Sequence, residues 1–175
     1  VPTMYMFMLN SPNLKNADLS SLNRCYVGGQ TMPVATMTAV EREFRVPLIE
    51  LWGMTEIAGL GATFPLFGPN KHGSIGCAIP YCDLKIVDVN DCSKQMNMGE
   101  VGELMVKGPI TMMGYFGDDK KTQETLEPDG WLHSGDLAKM DRDGCVYIVD
   151  RKKDMIITGG YNVYPADIER VLAAN

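Results

Sequence analysis

The sequence predicts an α/β layer followed by a small antiparallel β unit, and three observations predict it. A strand–helix–strand order fills the stretch between residues 23 and 51, which favours a parallel α/β layer. From Lys71 onward, short strand-like runs alternate with turn residues, the texture of an antiparallel sheet or barrel of about 80 residues. The 175 residues are 45% apolar and 22% charged, a soluble globular balance with enough apolar surface to bury a core.

Taken in order, residues 1–24 read as a short apolar helix around Met4 to Leu9, then a polar loop. Asn23 to Gln30 reads as a strand ending at Gly28-Gly29. Pro33 to Phe44 reads as a helix, because Val34, Met37, Val40 and Phe44 recur at helical spacing. Val46 to Leu51 reads as a second strand. Layers of this kind bind ligands at the carboxyl ends of their strands, where Gly28-Gly29 and Trp52-Gly53 fall. The later strand-like runs are Asp83 to Val89, Gly102 to Lys107, Gly114 to Phe116, Trp131 to Met140 and Cys145 to Val149. Between them lie the turn signals Asn97-Met98-Gly99, Pro128-Asp129-Gly130 and Asp141-Arg142-Asp143-Gly144. A last helix starts near Pro165, with Pro at its first position and Asp167 and Glu169 in its first turn. Ile168, Val171 and Leu172 form its apolar face. Three segments result: 1–70, 71–150 and 151–175.

Composition excludes several function classes. The net charge is −6 with both signs interspersed, so nucleic acid is not expected as a partner, because phosphate backbones select basic stripes. No apolar run is long enough to span a bilayer. The five cysteines are irregularly spaced with no CxxC pair, so no zinc framework is expected, and reduced thiols of a cytoplasmic protein are. The thirteen methionines suit core gap-filling. Val1 follows no signal pattern, and the expectation is a piece of a longer polypeptide.

Four short segments could carry chemistry. Gly28-Gly29-Gln30 and Trp52-Gly53-Met54-Thr55-Glu56 follow strands, and glycine there lets a ligand approach the backbone. Thr55 offers a hydroxyl to a phosphate, and Glu56 offers a carboxylate to Mg2+. Equally, Thr55 could cap a helix whose first turn Glu56 favours. In His133-Ser134-Gly135-Asp136-Leu137, the Asp136 carboxylate is an acceptor suited to the two hydroxyls of a ribose. As an alternative it is an ordinary turn aspartate, and His133 reads as a satisfied structural histidine. In Asp150-Arg151-Lys152-Lys153-Asp154, Arg151 can donate to hydroxyls or phosphate, or the run is a solvated turn.

The order of these segments carries a resemblance. Trp52-Gly53-Met54-Thr55-Glu56, Gly102-Glu103-Leu104-Met105-Val106-Lys107-Gly108-Pro109 with Gly114-Tyr115, Ser134-Gly135-Asp136-Leu137, and Asp150 to Ile157 running into Gly159-Gly160-Tyr161-Asn162-Val163-Tyr164-Pro165 resemble the ordered motifs of the adenylate-forming (AMP-binding) superfamily. Arg151 to Glu169 looks most like the branch of fatty-acyl-CoA ligases for long and medium chains. The resemblance implies a fragment of that α/β plus β fold. Residues 1–70 belong to a large α/β nucleotide-binding subdomain, 71–150 form a small β-barrel subdomain, and 151–175 form a hinge and the start of an α+β C-terminal domain.

The resemblance also implies roles. Gly28, Gly29 and Gln30 lie along the adenine, and Trp52 takes the place of an aromatic that stacks on it. Gly53 and Met54 stand between nucleotide and acyl pocket. Thr55 contacts the α-phosphate, Glu56 is the Mg2+-associated carboxylate, Asp136 grips the ribose and Arg151 is its basic partner. Lys153 is the hinge, and Gly159-Gly160 belongs to the loop brought in for thioester formation. The implied cofactors and co-substrates are ATP/AMP, Mg2+ and coenzyme A. The family's phosphate loop is expected before Val1 and its adenylation lysine beyond Asn175, so the isolated chain is expected to be inactive. An incomplete layer predicts exposed apolar surface, met by a homodimer or a swapped dimer. Alternatives are an adenylation domain that loads a carrier protein, a non-catalytic nucleotide-binding or assembly fragment and, least favoured, a structural barrel module. Leu60, Ala62 and Phe64 favour an aliphatic or aromatic acid.

Overall fold

The computed structural model describes all residues except Leu66, Phe67, Pro69, Gly159, Gly160, Ala174 and Asn175. The chain opens with helix α1 (Pro2–Leu9), which has no side-chain cap and carries proline at its start, where the missing N–H is one that would go unpaired. Strand β1 (Cys25–Val27), helix α2 (Val34–Phe44) and strand β2 (Leu48–Trp52) follow. β1 and β2 pair in parallel, Cys25 opposite Leu48 and Val27 opposite Glu50. In α2 the buried Met37, Val40 and Phe44 recur at one face, and Arg45 ends the helix with φ 57°. That face packs with Tyr5, Val27 and Leu48 into a first core, and the Tyr5 hydroxyl donates to the Tyr26 carbonyl at 2.8 Å.

Two short antiparallel strands, β3 (Ala62–Thr63) and β4 (Cys77–Ala78), extend this sheet in the order β1-β2-β3-β4. The second sheet is a meander of β5 (Asp83–Val87), β6 (Gly102–Lys107), β7 (Leu132–Met140) and β8 (Val146–Arg151), with helix α3 (Asp119–Thr125) between β6 and β7. The expected barrel is not closed: β5 and β8 are the two ends of the strand order and do not pair with each other among the described residues, Val146 of β8 bridging instead to Gly76 and Val87 of β5 to Gln95. A hairpin, β9 (Ile156–Thr158) with β10 (Tyr161–Val163), and helix α4 (Pro165–Ala173) complete the chain. The Ala166 N–H donates to Asp150 at 3.1 Å, tying α4 to the end of β8.

The two four-stranded sheets share one core. Trp52, Ile57 and Ala62 from the first sheet meet Leu104, Leu132 and Val146 from the second. Full burial of each aliphatic side chain contributes about 1.5–3 kcal/mol. The sheets also touch through backbone: Ile75 N–H donates to the Val146 carbonyl and Val146 N–H to that of Gly76, both at 2.9 Å. Gly76 has φ 81°, and a Cβ on it would lie 2.2 Å from the Thr63 carbonyl carbon, so only glycine permits this junction.

Several local expectations changed. Gly114 to Phe116 is a loop and not a strand, because Gly114 and Gly117 take φ of 151° and 69°. α3 follows it, with Asp118 as a cap accepting from the Lys121 N–H at 2.9 Å, a signal visible as aspartate before a polar run. The three predicted turns are present, closed onto Asn97, Glu127 and Asp141. Met4, Met6 and Phe7 of α1 and Val171 and Leu172 of α4 are exposed apolar side chains.

Candidate functional site

β2 ends at Trp52, and the chain turns through Gly53 and Met54 into a 3-10 turn, Thr55–Ile57, closed by Ala58 at φ 57°. A Cβ on Gly53 would lie 1.5 Å from the Gly59 carbonyl oxygen, so this turn is accessible to glycine alone. Thr55 does not cap its own turn, which leaves its exposed hydroxyl uncommitted to the backbone. Glu56 is half-buried and accepts at Oε1 from the Tyr115 hydroxyl at 2.7 Å. Burial, and then the Glu56 carboxylate, push the Tyr115 phenol above its ordinary value.

Asp136 comes to the same place from β7. Strand register sets Asp136 opposite Arg151 of β8, and the guanidinium Nη1 donates to Oδ1 at 2.9 Å. The indole Nε1–H of Trp52 donates to Oδ2 at 2.7 Å, 84 positions away in sequence. Ser134, buried, donates to the Leu104 carbonyl and accepts the Asp136 N–H, fixing the backbone. Burial pushes the Asp136 carboxyl above the usual carboxylate range, while the Trp52 bond and the Arg151 charge pull against it. Such a group is a desolvated acceptor with a donor at each oxygen.

Behind Asp136 lies a second polar cluster. Glu103 of β6, buried, binds Lys152 Nζ at 2.8 Å and His133 Nδ1 at 3.1 Å, and His133 Nε2 faces Glu127 at 2.9 Å. Burial pushes the Glu103 carboxyl up, but its His133 and Lys152 partners outweigh that and hold it below its usual range. The bond to Glu103 raises the His133 imidazole, against the effect of burial and with help from Glu127. His133 is therefore a satisfied histidine, as its position in the strand suggests.

An open cleft of about 550 Å3 is lined by Thr55, Glu56, Glu103, Tyr115, Gly135 and Arg151, with Gly53 and Met54 at its wall. Trp52 is packed in the shared core, and the atom it directs at the site is Nε1. Gly28, Gly29 and Gln30 stand at the end of β1 outside the cleft lining, Gly28 close against the Leu51 carbonyl. Lys153 is exposed in the turn between β8 and β9. Gly159 and Gly160 lie outside the described residues. Sequence reasoning gave no role to Glu103 or to Tyr115. Glu103 sits in an apolar strand and Tyr115 in a loop, and neither position carries a periodic signal.

The cleft presents the Thr55 hydroxyl, the Glu56 carboxylate and the Arg151 guanidinium, with the buried Asp136 bound to Arg151 beside the lining, groups suited to phosphate, a cation and a sugar diol respectively. A profile of the family described as "AMP-binding enzyme" matches residues 1–116. The chain is 40% identical over 171 residues to a long-chain-fatty-acid–CoA ligase of Bacillus subtilis, covering 98% of this chain and 30% of the relative. It is 43% identical over 175 residues to the ligase of the same description from Salmonella typhimurium, with 98% and 30% covered. Among solved structures, ATP-bound MatB from Rhodopseudomonas palustris superposes with a TM-score of 0.91 at 32% identity, covering 99% of this chain and 34% of that one. The chain thus spans about 30% of the length of the curated relatives it matches.

Proposed function

Because the chain belongs to the family of AMP-binding enzymes, we propose that it is part of an ATP-dependent acid–CoA ligase whose acid is a fatty acid. In the first step a carboxylate oxygen attacks the α-phosphorus of ATP. The bond to the bridging oxygen breaks, and pyrophosphate leaves with its electron pair. In the second step the coenzyme A sulfur attacks the acyl carbon, AMP departs and the thiol proton passes to solvent.

The observation that carries this reading is Asp136, a buried carboxylate gripped by Trp52 and Arg151 beside the Thr55-Glu56 turn. Its role is to accept both ribose hydroxyls. Trp52 stands on the adenine side with Gly28, Gly29 and Gln30, and Gly53 and Met54 separate nucleotide from acyl chain. Thr55 donates to the α-phosphate, where fixed donors stabilise developing charge. Glu56, with Oε1 bonded to Tyr115, fits the single-carboxylate site that Mg2+ commonly shares with substrate phosphates. Bound there, Mg2+ would supply charge neutralisation on the phosphates. Lys153, in an exposed turn between two strands, suits a hinge, and Gly159-Gly160 the thioester-forming loop. The described cleft offers Glu56 and Glu103 but only Arg151 and His133 as cations. That is too few to hold a triphosphate, so the 175 residues alone are proposed not to catalyse adenylation.

ATP–pyrophosphate exchange on the full-length protein, with a panel of fatty and amino acids, tests the reading. Exchange with fatty acids that Asp136→Ala abolishes supports it. Exchange with amino acids, and acyl transfer to a carrier-protein thiol in preference to coenzyme A, would replace it with a carrier-loading adenylation domain. Exchange by the 175-residue chain would overturn the claim that its cations are too few.

A further inference from the structure

We propose that Cys92, Glu127 and His133 form a binding site for one zinc-class divalent cation, separate from the carboxylate assigned to Mg2+. The three side chains place a thiol sulfur, a carboxylate oxygen and an imidazole nitrogen within 4.8 Å of one another. Cys92 Sγ is 3.8 Å from Glu127 Oε1, and that oxygen is 2.9 Å from His133 Nε2. Zinc–ligand bonds of about 2.0–2.3 Å in a tetrahedron separate ligand atoms by roughly 3.4–3.6 Å. The sulfur–oxygen and oxygen–nitrogen separations lie within about half an ångström of that geometry, and the sulfur–nitrogen separation, no more than 4.8 Å, closes by movement of the exposed Cys92 side chain.

All three residues have ordered supports. Cys92 lies in the β5–β6 connection, closed by Asp88 N–H to the Lys94 carbonyl at 2.9 Å and Lys94 N–H to that of Asp91 at 3.0 Å. Glu127 and His133 flank the turn closed by Glu127 N–H to the Trp131 carbonyl at 2.8 Å. The remaining nitrogen of His133, Nδ1, faces the buried Glu103 at 3.1 Å. A carboxylate on the far nitrogen of a ligating histidine is the support that fixes the tautomer in metal sites. Glu103 is itself held by Lys152.

A cavity of about 270 Å3 opens beside Cys92 and Glu127, leaving a fourth position for water. Sulfur and imidazole donors select zinc-class ions over magnesium, which takes oxygen ligands. Binding forms a metal–sulfur bond as the Cys92 proton leaves to solvent, and a metal–nitrogen bond as any proton on His133 Nε2 leaves with it. It also ties the β5–β6 connection to β7, three residues ahead of Asp136.

The test is titration of the chelator-stripped full chain with Co2+ and Zn2+. One equivalent of Co2+ is expected to produce a thiolate-to-metal charge-transfer band in the near ultraviolet. Cys92→Ser, a change at an exposed position, removes the band, and Zn2+ binding weakens by at least about tenfold. Cys77→Ser, which disrupts a close thiol pair elsewhere (Cys77 and Cys145, 3.8 Å apart), leaves the band intact. No band in the parent chain, or a band that survives Cys92→Ser, overturns the proposal.

Discussion

Replacing Trp52 with phenylalanine removes one of the two donors to Asp136. A hydrogen bond to a charged group contributes about 1.5–3 kcal/mol. This bond is short, at 2.7 Å, and the carboxylate side chain is only 9% exposed, which places it in the upper half of that range. The substitution also leaves part of the indole's space unfilled in the shared core, a loss of about 1–2 kcal/mol on the scale of large-to-small changes. A double-mutant cycle separates the two, because Asp136→Ala removes the acceptor without touching that space. Urea unfolding of the parent, both single variants and the double variant should give a coupling of about 2 kcal/mol. Additivity to within about 0.5 kcal/mol would show that the indole and carboxylate are not bonded, and the account of how Asp136 is oriented would fail with it.

Gly53→Ala should destabilise by about 3 kcal/mol or more, read as a fall in the urea midpoint, since its Cβ would meet the Gly59 carbonyl at 1.5 Å. Arg151→Met takes a positive charge from Asp136, whose carboxyl burial already raises. Its ionised form then appears at higher pH, and the acidic limb of the pH profile for exchange in the full-length protein moves upward. Lys71 holds Asp141 down to about 2, chiefly by its hydrogen bond, against burial and with help from backbone donors. A depressed carboxyl contributes stability above its unfolded value of about 3.9, and that stability is lost as pH falls toward 2. Lys71→Met should therefore raise the Asp141 titration midpoint in carboxyl-carbon NMR, and acid unfolding should begin at higher pH.

The α2 face was legible because Met37, Val40 and Phe44 repeat at helical spacing, and β6 because an apolar run meets turn signals at both ends. Of α3 only the Asp118 cap was visible, since it has no buried residue to mark a face, and the β9–β10 hairpin gave no signal because its strands are three residues each. The zinc-class cluster is the sharper case. The cysteine spacing holds no CxxC, and Cys92, Glu127 and His133 are scattered over 42 positions (92 to 133).

The sequence by itself determined the family and the order of its motifs, because those rest on residue types at short spacings. It also placed Gly53 directly after a strand, while the requirement for glycine there came from the Gly59 carbonyl packed against it. Only the tertiary structure decided that the second sheet stays open, that Glu103 is a buried hub, and that Trp52 serves Asp136 through its indole N–H. Each of these depends on strands paired or packed across tens of residues. Local propensity and periodicity act over a few residues, and so carry no information about which distant side chains share a desolvated pocket.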